Sequence, residues 1–189
     1  MSRAAGKLVV QHRSEGVAMG TLDAFFVMRC FGAVSPDDIR ATLKCHEVLQ
    51  TYRPEGSVSI IAVDPNSGFP SEETRRAALE VTRFTNSTTL SVSIIILGDG
   101  FWASAIRGVL TTLGFLGQPT HPRKVFRYEE EGVDWAIESI AESPQRYRSL
   151  LLAALEQLRP AATSPPPAPT SKAPPTTSRI PPSSKRRAG

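Results

Sequence analysis

Residues that announce chemistry are scarce in this chain. It has two cysteines and three histidines. Cys30 and Cys45 match no metal or redox spacing and lie within apolar patterns, which predicts buried free thiols in a reducing compartment. His46 lies on the apolar stripe of a predicted helix, where it reads as a core histidine. No second histidine or carboxylate is spaced to join it at a metal. No serine lies in a G-x-S-x-G turn, and neither cysteine has an evident histidine partner in a loop. Gly98-Asp99-Gly100 lacks both the third glycine and the Gly-Lys-Ser/Thr ending of a phosphate-binding loop. The expectation is therefore no enzyme, no metal and no cofactor.

Long apolar runs are also missing. Nothing approaches the ~18 residues needed to span a bilayer, and the first sixteen residues contain no apolar signal core. The expected location is the cytoplasm, where the sequon Asn86-Ser87-Thr88 means little. Acids are absent from Pro160 onward, although Lys172, Arg179, Lys185, Arg186 and Arg187 lie there. Taking those five from the 22 basic residues leaves 17 against 18 acids, so the remainder carries −1 and the basic character belongs to the tail. A nucleic-acid-binding face on the domain is disfavoured.

The chain divides into a domain over 1–158 and a tail over 159–189. Nine of the 16 prolines fall in the tail among Ser, Thr and Ala, a composition that cannot bury enough surface to offset ordering entropy. The expectation there is a disordered, proline-rich segment. One P-x-x-P (Pro166–Pro169) and the Lys185-Arg186-Arg187 run read as a flexible linker or anionic tether.

Within the domain, the stretch from Ser57 to Leu97 is the organising unit. It reads as a buried strand (SVSIIAV), a loop (DPNSGFP), a helix (SEETRRAALEVTRFTN) and a second strand (LSVSIIIL), which is a βαβ unit of a parallel sheet. Further strands are expected at Lys7–His12, Ala24–Phe31 and Lys124–Tyr128, with Gly16 and Gly20 punctuating the link between the first two. Ser35-Pro36-Asp37-Asp38 starts a helix running to Arg53, with Ile39, Leu43, His46, Leu49 and Tyr52 on one face. The helix from Ser71 should bury Thr74, Ala77, Ala78, Val81, Phe84 and Thr85. A third helix should bury Trp102, Ile106, Val109, Leu110, Leu113 and Leu116. Helices over Glu129–Glu142 and from Ser143-Pro144 to Leu158 complete the pattern. The predicted class is α/β: a mixed, largely parallel sheet of about five strands with four to five helices.

Three segments carry a family resemblance: the strand ending in Asp64 with its loop and SEETRRAA helix, the run SIIILGDGFWASAIRGVLTTLGFL, and VFRYEEEGVDWAIES. In their order and spacing, over about Val9 to Ala141, they resemble STAS-type domains. That group includes bacterial anti-sigma-factor antagonists and the divergent STAS/SEC14-like branch. The resemblance implies a non-catalytic regulatory module that binds a protein partner, such as an anti-sigma kinase. It also implies a phosphate-accepting serine at the start of the helix after the Ser57–Val63 strand. Ser71 is the nearest match and Ser67 an alternative in the same loop, although Pro70 replaces the acid of the family's Asp-Ser pair. Ser71 also reads simply as an N-cap.

In open α/β sheets the functional edge lies beyond the carboxyl ends of the strands. The candidate partner-binding residues are accordingly Asp64, Asn66, Gly68 and Phe69 in one loop and Asp99, Phe101 and Trp102 in the next. Asp64 and Asp99 alone do not make a receiver-like phosphorylation site. A second expectation for the same fold is a carrier of a small ligand, a lipid or nucleotide, held in an apolar pocket between the sheet and a helix.

Overall fold

The computed structural model describes residues 6–116, 120–140 and 144–160, with side chains described throughout except at 110–116 and 144–145. The predicted tail from 161 onward and the Leu110, Leu113 and Leu116 side chains lie outside the described residues.

Six strands form one mixed sheet, one more than expected. They are β1 (Val9–Arg13), β2 (Val17–Leu22), β3 (Phe25–Cys30), β4 (Ser57–Val63), β5 (Thr89–Ile96) and β6 (Arg123–Phe126). They lie side by side in chain order, with β1–β2–β3 antiparallel and β3–β4–β5–β6 parallel. The additional strand is β2, over a stretch whose glycines suggest turns. Gly20 instead sits mid-strand, paired with Val10, because the β1 backbone approaches it closely: a Cβ there would stand 2.3 Å from the Val9 carbonyl oxygen. Asp23, at φ +52°, makes the tight turn into β3.

The helices are α1 (Pro36–Tyr52), α2 (Glu72–Thr85), α3 (Gly100–Leu116), α4 (Glu129–Glu138) and α5 (Pro144–Gln157). Crossovers of one hand between strands taken in order put their helices on one face. Accordingly α1 and α3 pack with Phe26, Met28, Val63, Ile94 and Ile96 in one core. The opposite face of the same strands, including Phe25, Val27, Ile60 and Ile95, packs with α4 and α5. Strands covered on both faces read as continuous apolar runs, which is why β3, β4 and β5 were recognisable.

Two helix faces differ from expectation. In α1 the buried set is Asp38, Thr42, Cys45, His46 and Leu49, and Tyr52 is exposed. The stripe is rotated because Asp38 is drawn inward by His12 Nε2 (2.7 Å) and closes a capping box with Ser35. In α2 the difference is Phe84, which is exposed; Thr74, Ala77 and Thr85 are buried as expected, and Ala78 and Val81 are half-buried. Small side chains under a helix leave space beneath it. Both cysteines are buried free thiols, and burial pushes Cys30 up to about 12 and Cys45 up to about 11.

Candidate functional site

Parallel pairing of β4 with β5 brings their carboxyl ends to one edge, from which the loops to α2 and α3 emerge. The two loops touch. Gly98, at φ +85°, lies against the Pro65 ring, where a Cβ would stand 2.8 Å from Cγ. A side chain at Gly98 would therefore push the loops apart as well as strain the backbone. Ser67 N donates to the Asp64 carbonyl at 3.1 Å, and the Ser67 hydroxyl donates to the same oxygen at 2.7 Å, which tightens the first loop into a turn.

Each candidate residue has a definite place on this edge. Phe69 and Phe101 project outward, 55% and 88% exposed. Asn66, Gly68 and Asp99 are exposed, and Asp99 pairs with Arg127 of the segment after β6. Trp102 is half-buried against the α1–α3 core, with its Nε1 buried and without a hydrogen-bond partner. Ser71 is exposed and caps α2, its hydroxyl oxygen accepting from Thr74 N at 3.1 Å. Ser67 is buried and its hydroxyl is engaged, so of the two serines only Ser71 presents its side chain to solvent.

Asp64 belongs to a buried ionic brace. Arg29, a charge within the apolar run of β3, is 2% exposed. Its Nη2 and Nε donate to the two Asp64 oxygens at 2.7 and 3.1 Å, its Nη1 to Glu129 Oε1 at 2.7 Å and to the Leu155 carbonyl at 3.4 Å. Burial alone would lower the Arg29 pKa, but hydrogen bonds and charges from Glu129 and Asp64 outweigh it and hold the guanidinium above its ordinary value. Arg159 approaches the same Glu129 oxygen at 3.5 Å. The brace ties the ends of β3 and β4 to the start of α4 and the end of α5. Asp64 thus stiffens the edge from below, and the aromatics stand above it.

Beneath the first loop, between the sheet and α1–α3, lies a cavity of about 180 Å³ with an apolar lining that includes Met28, Cys30, Ile61, Ile94 and Ile106. Ser67, Gly68 and Pro70 of the loop form part of its wall. Among the described residues no three His, Cys, Asp or Glu side chains are grouped to hold a metal ion, and no helix is long and apolar enough to cross a membrane.

Sequence reasoning did not single out Arg29, His121 or Arg123. An arginine inside a strand buried on both faces is itself a signal, since it requires carboxylates delivered from elsewhere. His121 and Arg123 carried no such signal, because His121-Pro122-Arg123 reads as turn chemistry and meets His46 only through the fold. No protein-family model matches this chain, and no curated protein matches it.

Proposed function

We propose that this chain is a non-catalytic, STAS-like regulatory module that binds a protein partner at the carboxyl edge of its sheet. The observation that carries this reading is the pair of exposed aromatics, Phe69 in the β4–α2 loop and Phe101 in the first turn of α3, with the loops leading into α2 and α3 held against each other at Pro65 and Gly98. Aromatic side chains kept in water on a stiff support are suited to anchor a partner, because their contact area is large and little ordering remains to be done on binding. The Arg29 brace supports the same reading, since it spends the edge's carboxylate on rigidity.

In this reading Ser71 is the position through which a kinase partner would switch the edge. A phosphate there would meet the free N–H groups at the start of α2, and Arg75 in the first turn and Arg76 just after it, paired with Glu72, are exposed. The test is affinity capture from the native cell extract with the full chain, with a chain truncated after Arg159, and with Phe69→Ser/Phe101→Ser. A partner retained by the first two and weakened roughly 30-fold or more by the aromatic pair supports the proposal. Equal retention by the double variant overturns it. Intact-mass measurement after exposure to host kinases tests the switch, and absence of phosphate on Ser71 together with unaltered capture by Ser71→Asp removes it.

A second reading, a small-ligand carrier, is favoured by one specific observation: the apolar cavity between the sheet and α1–α3.

A further inference from the structure

The cavity beneath the β4–α2 loop adjoins a second one of about 150 Å³ that lies toward the amino ends of β5 and β6. Met28, Ile39, Ile61, Ala78 and Ile94 line both spaces. Their far ends differ in chemistry. The second space is walled by His46 of α1, Thr82 of α2, and His121 and Arg123 at the start of β6.

Arg29 and Arg123 are treated differently. Arg29 has two carboxylates. Arg123 has no carboxylate within ion-pair distance among the described residues. Its hydrogen bonds there run to His121 Nε2 and Thr82 Oγ1, both at 3.4 Å. Burial lowers the Arg123 pKa. His46 is 4% exposed, and its Nδ1 makes no hydrogen bond among the described residues. His121 Nδ1 is likewise buried and finds no hydrogen-bond partner among them. Burial and the neighbouring His121 bring His46 down to about 4, and burial with the Arg123 charge lowers His121 against the raising influence of the Asn86 backbone, so both rings are neutral near pH 7 and carry one N–H each. A cation and unpaired polar atoms in a largely buried space are costly unless something satisfies them.

We propose that this chain binds an amphipathic organic anion, with its carboxylate or phosphate head at Arg123, His121, His46 and Thr82 and its apolar body running along the sheet under α2. Carboxylate and phosphate oxygens accept from a guanidinium in paired geometry and also from imidazole N–H and hydroxyl groups. The apolar body replaces empty volume left by the small residues of α2. The inference rests on the ligand-carrier reading and is independent of the protein-partner one.

The test is isothermal titration of the full chain with decanoate, decyl phosphate and the uncharged decanol, on wild type, Arg123→Gln and Arg123→Lys. One of the anions should bind wild type roughly tenfold or more tightly than decanol. That preference should vanish in Arg123→Gln, with decanol affinity unchanged, and return in part in Arg123→Lys. Equal binding of decanol and both anions to wild type overturns the head-group site and leaves the carrier reading standing. Failure of all three probes to bind overturns both. Should Arg123→Gln not fold by circular dichroism, Thr82→Val carries the comparison, and an unchanged anion preference in it together with Arg123→Lys overturns the assignment.

Discussion

Replacing Arg29 by methionine probes the brace under the candidate edge. The change keeps much of the apolar bulk in β3 and removes the guanidinium that meets two carboxylates and a backbone carbonyl. Asp64 and Glu129, whose side chains are 18% and 15% exposed, would then face each other without a cation between them. Stripping one partner from a buried ion pair costs about 3–5 kcal/mol, because the other charge stays desolvated. That is a large part of a typical domain stability of about 5–15 kcal/mol. With a urea dependence of about 2 kcal/mol per M, the unfolding midpoint should fall by roughly 2 M. The triple change Arg29→Met/Asp64→Leu/Glu129→Leu should recover most of that loss, since an apolar cluster of similar volume replaces the charges. Urea denaturation followed by far-UV circular dichroism reads both effects. A midpoint shift in Arg29→Met below about 0.3 M, or a triple variant no more stable than the single one, would refute the claim that the pairing holds the edge together.

Two further outcomes follow from the polar groups. His46 has its pKa lowered from 6.5 to about 4, so on acidification the unfolded chain takes up a proton before the folded one does; stability should drop by about 3 kcal/mol between those pH values. Urea midpoints of wild type and His46→Leu at pH 7.5 and pH 4.5 isolate this, and a pH dependence unchanged by the substitution counts against a neutral buried ring. Ser71→Ala should lower stability by about 1 kcal/mol through loss of the α2 cap, while Ser71→Asp retains the cap. Equal midpoints for wild type and Ser71→Ala would mean the hydroxyl contributes nothing to the helix start.

The parts of this fold legible in the sequence were those whose signals are local. The Ser35-Pro36 and Pro70-Ser71 starts, the runs of β3, β4 and β5 and the five helices follow from capping and periodicity. β2 was illegible because its glycine serves a close approach of β1, and a glycine required by a neighbouring backbone looks the same in sequence as one required by a turn. The α1 face was misphased because an acid, Asp38, is buried by a partner 26 positions earlier. In α2 the small residues of the expected stripe, Thr74, Ala77 and Thr85, are buried, and Phe84 departs from it by facing solvent. Those small side chains leave the cavities beneath the helix. The polar cluster joins His46 with His121 and Arg123 from different elements, so only the tertiary fold assembles it.

Docking of a protein partner on the carboxyl edge of the sheet is the proposal on which the rest depends. Hydrogen–deuterium exchange of the full chain, alone and with the partner recovered by affinity capture, reads it out. Exchange should slow over 65–71 and 98–102 with β1 unchanged. Slowed exchange confined to β1 or β6, with both loops exchanging as in the free chain, would overturn it.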